Sequence, residues 1–163
     1  MSKHTKMRLS ESGLDQIESE LTKYPPDRRQ SALMAALRIA QDEHGWLSPE
    51  LIEQVAEITG VPAVRAYEVA TFYSMYDLEP VGQHKIEVCT NISCMLRGCD
   101  RVVNHLKQRL GIDFNQTTKD GKFTLREVEC LAACAGAPMM AIDHDYYENL
   151  DEAKIDLILE GLK

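Results

Sequence analysis

Five cysteines, Cys89, Cys94, Cys99, Cys130 and Cys134, are the residues of this chain whose type and spacing could do chemistry. Cys89-Thr-Asn-Ile-Ser-Cys94 is a C-x4-C pair and Cys130-Leu-Ala-Ala-Cys134 is a C-x3-C pair. Thiolates are soft ligands, and four of them brought to one point bind zinc or an iron–sulfur cluster. Structural zinc ribbons favour tight C-x2-C knuckles, whereas wider loops suit two sulfurs gripping each iron of a larger rhomb. The spacing therefore favours [2Fe–2S] and leaves zinc open. Neither loop contains His, and His4, His44, His84, His105 and His144 form no close pair of ligand spacing, which disfavours a centre with two His on one iron. Cys99 precedes Val102, Val103 and Leu106 by three, four and seven residues and so shares their helical stripe. It is expected to be a small core residue.

Two strands must hold the paired cysteines. Lys85-Ile-Glu-Val88 alternates polar and apolar residues and runs straight into Cys89; Phe123-Thr-Leu-Arg126 alternates likewise and leads through Val128 to Cys130. Neighbouring strands that end at one sheet edge would present both loops together. Between them, residues 95–110 return to helical period and stop at Gly111. Residues 139–142 and 146–147 are expected to form a hairpin around 143–145, and Asp151 caps a last helix carrying Ile155, Ile158, Leu159 and Leu162. The order strand, helix, strand, strand, strand, helix is the plan of a small α+β sandwich of the thioredoxin type. The redox motif C-x-x-C is missing, which disfavours disulfide exchange.

The first 80 residues contain no cysteine and read as a small helical bundle. Ser12 with Asp15 has capping-box spacing before Leu14, Ile17 and Leu21. Leu33, Ala36, Leu37 and Ala40 form a stripe that ends at Gly45, and Ser48-Pro49-Glu50 opens a third helix that stops at Gly60. A fourth segment opened by Val61-Pro62 has an apolar surface broader than one stripe, so residues 69–76 are expected at a partner contact, as is the uncharged segment 135–140. The chain is thus expected to divide into a helical part, 1–80, and a cysteine-bearing part, 81–163.

Composition removes other classes. Eighteen Lys and Arg against 26 Asp and Glu leave a net charge of −8, without the clustered positive charge that nucleic acid or anionic lipid requires. The longest stretch lacking charged residues is the 13 residues 130–142, short of the ~20 that span a bilayer, so no membrane insertion is expected. The basic N-terminus has no apolar segment behind it, so no secretory signal is expected, and the odd cysteine count argues against a disulfide framework. No G-x-G-x-x-G follows a strand and no P-loop is present.

The motifs Val69-Ala-Thr-Phe-Tyr-Ser, Pro80-Val-Gly, Cys89-x4-Cys94-Met-Leu-Arg-Gly, Phe123-Thr-Leu-x-Glu-Val-Glu-Cys130-Leu-x-Ala-Cys134, Ala137-Pro-Met and Tyr146-Tyr-Glu occur in that order. Together they resemble the family of [2Fe–2S] subunits of NADH:quinone oxidoreductase, respiratory complex I (the E subunit in bacteria), over nearly the whole chain. The resemblance implies a thioredoxin-like [2Fe–2S] ferredoxin domain preceded by an N-terminal helical bundle, an α+β chain with Cys89, Cys94, Cys130 and Cys134 as ligands of one cluster. It further implies single-electron exchange with FMN held by the flavin- and NADH-binding F subunit, contact with other peripheral-arm subunits, and a place on the cytoplasmic side of the inner membrane within a membrane-attached complex. NAD-linked hydrogenases and formate dehydrogenases use similar subunits, and a zinc-stabilised interaction module is the alternative of a different class. The family commonly has Gly where this chain has Ala132, and a small non-ligand residue where it has Cys99.

A cluster of two ferric ions, two sulfides and four thiolates would lower the net charge from −8 to about −10. One-electron reduction adds one more negative charge and needs compensating donors. Candidates are backbone N–H groups of both loops, the N-terminus of the helix after Cys94, and Arg97.

Overall fold

The structure, a computed structural model, describes residues 7–162. His4 and the N-terminal segment on which the absence of a secretory signal rests lie outside the described residues. The chain divides into two compact units, Met1–Pro80 and Val81–Lys163.

The first unit holds four helices, α1 (Glu11–Leu21), α2 (Leu33–His44), α3 (Pro49–Thr59) and α4 (Ala63–Phe72), with a 3-10 segment, Pro26–Ala32, between α1 and α2. Ser10, not Ser12, caps α1: its hydroxyl accepts from the Gly13 N–H, and this earlier start turns Leu14 outward at 42% exposure while Ile17 and Leu21 are buried. The expected caps of the next helices are present. Gly45 and Gly60 are left-handed at the ends of α2 and α3, and the Ser48 hydroxyl accepts from the Leu51 N–H. Ile17, Leu37, Leu51 and Val55 are among the fully buried side chains of one apolar cluster. Helix α4 joins it mainly through Ala66 and Ala70, whereas Phe72 is 80% exposed and Val64, Tyr73 and Met75 are also exposed.

Tyr76 is buried in this cluster, and its hydroxyl donates to the Met34 carbonyl at 2.8 Å. Burial, reinforced by Tyr73, pushes its pKa from 10.0 to about 12. The neutral phenol is the form the fold stabilises, so this contribution is complete below about pH 10 and is lost as pH rises toward 12, where the unfolded chain ionises first. Alkaline titration followed by circular dichroism is expected to show a steeper loss of the wild-type helical signal between those limits than in Tyr76→Phe. Equal slopes would contradict it.

The second unit is a five-stranded sheet in the order β2-β3-β1-β4-β5. Its strands are β1 (His84–Cys89), β2 (Gln116–Thr117), β3 (Phe123–Val128), β4 (Met140–Ile142) and β5 (Asp145–Tyr147). Central β1 pairs parallel with β3 and antiparallel with β4. Ile86 and Val88 of β1, Phe123 and Leu125 of β3, and Met140 and Ile142 of β4 alternate along their strands, and so line one face. Val102 and Leu106 of α6 (Cys99–Leu110) and Ile155 and Leu159 of α7 (Glu152–Gly161) complete that core. Asp151 caps α7, accepting from the Lys154 N–H. His105 and Arg109 of α6 both reach Asp156 of α7, at 3.0 and 3.1 Å.

Several sequence expectations change. The single helix over 95–110 is two, α5 (Ile92–Leu96) and α6, separated by left-handed Gly98. Strand β2 was not expected; two residues are too short for a periodicity to register. Thr124 is buried although it lies on the polar phase of β3, because its hydroxyl meets Thr117 of β2 at 2.7 Å and accepts from the Gly82 N–H at 2.6 Å. Gly82 itself admits no side chain: an added Cβ would lie 2.8 Å from the Phe123 backbone. The segment 135–140 supplies buried Ala137, Met139 and Met140 to this unit's own interior, so apolar character there reflects packing.

Candidate metal centre

The parallel pairing of β1 with β3 positions the site. Register places Cys89 opposite Val128, so β1 ends at its cysteine while the chain runs two residues past the end of β3 to Cys130. The Thr90 N–H donates to the Val128 carbonyl at 3.1 Å, and the Cys89 N–H to the Met139 carbonyl at 3.3 Å. The two cysteine loops therefore leave the same edge from adjacent strands. Cys94 lies inside α5, whose first N–H is capped by the Asn91 side chain. That helix begins before Cys94, not after it as expected.

Cys89, Cys94 and Cys99 are buried in one cluster with Ala137 and Met139, flanked by Val128, Leu131 and Ala133. Cys130 and Cys134 are exposed in the second loop. The structure thus buries three thiols in one cluster and leaves two exposed; among the described residues no group of three or more His, Cys, Asp or Glu side chains converges as a metal-holding set. The donor chemistry nonetheless fits a four-thiolate cluster: two soft pairs on loops from adjacent strands, one pair walled by apolar side chains. Cys99 at the start of α6 sits nearer Cys89 and Cys94 than its stripe with Val102 and Leu106 suggests. Its left-handed Gly98 neighbour turns the chain back toward them.

Burial pushes the Cys94 thiol up to about 11, with the hydrogen bond it donates to Cys89 acting in the same direction, and burial raises Cys99 as well. At neutral pH Cys94 is therefore protonated. Ligation of a metal by this sulfur would require the thiolate and so would release the proton.

Sulfur-directed donors come from fewer places than expected. In the first loop the N–H groups of Met95, Arg97 and Gly98 go to backbone carbonyls and that of Ile92 to Asn91. The donors that reach sulfur are the Ala132 N–H, 3.3 Å from Cys130 Sγ, and the Met139 N–H, which bonds Cys94. Arg97 is exposed. The glycine that the resembling family commonly has at this position is the one sequence signal for Ala132, and the structure explains it: φ is +59°, the left-handed region that favours glycine.

A mixed sheet backed by two helices, with paired-thiol loops at its edge, is the arrangement expected of a thioredoxin-like ferredoxin. The chain matches the family "Thioredoxin-like [2Fe-2S] ferredoxin" over residues 17–163 and belongs to it. The cofactor of that family is a [2Fe–2S] cluster. The chain is 47% identical over 153 residues to the E subunit of NADH-quinone oxidoreductase from Rickettsia typhi, covering 93% of this chain and 90% of that protein. It is 48% identical over 149 residues to the E 2 subunit of NADH-quinone oxidoreductase from Rhizobium meliloti, covering 91% and 88%. Among solved structures, an NAD+-reducing [NiFe]-hydrogenase in the air-oxidized state superposes on 83% of this chain with a TM-score of 0.71 at 23% identity, a likeness of fold. This chain spans 24% of that hydrogenase chain.

Proposed function

We propose that this chain is the one-electron carrier subunit of an NADH:quinone oxidoreductase, holding a [2Fe–2S] cluster on Cys89, Cys94, Cys130 and Cys134. The parallel β1–β3 pair carries the proposal, since it delivers two pairs of soft ligands from one sheet edge. Bound there, such a cluster stores and releases one electron at a time. The chain's own groups do the rest. Val128, Leu131, Ala137 and Met139 wall the buried thiols from water, and the Ala132 and Met139 N–H groups point positive dipoles at sulfur, favouring the more negative reduced state. Cys99 fills space beside the ligands as a neutral thiol.

The chain's electron partner in this proposal is the FMN of the F subunit, which also binds NADH, with other peripheral-arm subunits completing the contacts. No described helix is long and apolar enough to cross a membrane. The proposed working place is the cytoplasmic side of the inner membrane, attached through partners. The two compact units are proposed to act as a helical domain, 1–80, and a ferredoxin domain, 81–163, each with its own core.

Purified full-length protein is expected to be red-brown, to hold iron and acid-labile sulfide in equal amounts, and to give a paramagnetic signal on one-electron reduction. Colourless protein holding one zinc would reject the electron-carrier function in favour of a zinc-stabilised interaction module.

A further inference from the structure

We infer that Ala132 is a positioning residue for the metal centre: its left-handed backbone aims its N–H at Cys130 Sγ, so the residue type at 132 governs electron affinity. This rests on the proposed [2Fe–2S] function. Cys130 is exposed, and apart from its own covalent geometry the loop offers it one directed donor, the Ala132 N–H at 3.3 Å. Farther along the loop, the N–H groups of Gly136 and Ala137 go to the carbonyls of Ala133 and Cys134, tightening the turn Cys134–Gly136.

The direction of the Ala132 N–H follows from φ at that residue. At +59° a Cβ is close to the carbonyl oxygen, a conformation that costs an L-residue free energy and that glycine adopts without it. The loop keeps alanine in this state, and the hydrogen bond to sulfur is the interaction that conformation makes. A hydrogen bond to a charged acceptor is stronger than a neutral one, and it strengthens as charge accumulates on the sulfur. The bond should therefore stabilise the reduced state more than the oxidised one. Side chains that tolerate left-handed backbone, Gly and Asn, preserve it, whereas a β-branched side chain drives the residue out of that region and swings the N–H away.

The test is a series in the full-length chain, Ala132→Gly, Ala132→Asn and Ala132→Val, read by redox titration, iron and sulfide content and thermal loss of the cluster. The Gly and Asn proteins are expected to keep the wild-type midpoint potential, with Gly raising the temperature of cluster loss by about 2–4 °C through relief of the left-handed alanine. The Val protein is expected to bind an electron about tenfold more weakly, a midpoint about 59 mV lower. A folded Val protein that takes up no iron, beside a fully loaded Gly protein, also supports the inference, because the same N–H is then required to hold Cys130. Should the Val protein not fold, the order of the Gly and wild-type proteins decides. A Val protein at the wild-type potential, or a Gly protein that loses its cluster at a lower temperature, overturns the role of Ala132. Wild-type protein lacking iron and sulfide would instead overturn the [2Fe–2S] function itself.

Discussion

Cys89→Ser and Cys130→Ser proteins are expected to lose most of their iron and sulfide, whereas Cys99→Ser keeps both. The two proposed ligands come from different loops, so each substitution removes one soft donor from one pair and replaces it with a hydroxyl that is a poor ligand at neutral pH. Cys89 has a second duty as the last residue of β1, where its N–H holds the Met139 carbonyl. Serine preserves that backbone bond, so loss of the cluster from a folded Cys89→Ser protein isolates the role of sulfur. Cys99 is buried beside Cys94, and its replacement by serine brings a hydroxyl into an apolar cluster, a cost of packing and desolvation rather than of ligation. Iron analysis and the visible spectrum of the three proteins, with circular dichroism to establish folding, check the assignment. An intact cluster in the first two, or loss confined to Cys99→Ser, would overturn it.

Leu125→Ala is expected to destabilise the sheet unit by about 2–5 kcal/mol, the range for removing a fully buried leucine. Leu125 is on β3, directly opposite Ile86 of β1, and packs in the core shared with α6 and α7. The cavity left there loosens the pairing that aligns the cysteine loops, so cluster loss should accompany unfolding at lower denaturant concentration. Leu37 has no part in that core; it lies fully buried in the helical cluster. Leu37→Ala should therefore shift the helical transition while leaving the colour of the sheet unit in place. Denaturant titration followed in parallel by far-UV circular dichroism and cluster absorbance distinguishes these outcomes. One common shift in both variants would contradict two domains with separate cores.

Much of the positioning was legible because it rests on local rules. Strand alternation into Cys89 and toward Cys130, left-handed glycines at 45, 60 and 111, and the Ser48 and Asp151 caps are each settled within a few residues of chain. What escaped depends on partners distant in sequence. Ser10 outcompetes Ser12 as the α1 cap because Glu43 of α2 also accepts from the Ser10 N–H, at 2.8 Å, and from its hydroxyl. Thr124 reads as surface until Gly82 and Thr117 are brought to its hydroxyl. The donors at sulfur were expected from both loops. That expectation overlooked the short α5, which ties up first-loop N–H groups. Ala132 shows the limit most clearly: the family's usual glycine hints at a left-handed backbone, but the N–H aimed at Cys130 sulfur emerges only in the folded turn.

The parallel register of β1 and β3 also sets an order in time during synthesis. Parallel neighbours require a crossover, here the chain through α5 and α6, before the second strand can pair. On the ribosome the thiols at 89, 94 and 99 thus emerge well ahead of those at 130 and 134, with no β3 yet available to complete the edge. The nascent chain consequently passes through an interval in which it carries half of the proposed ligand set, and the set is complete only once residue 134 has left the exit tunnel.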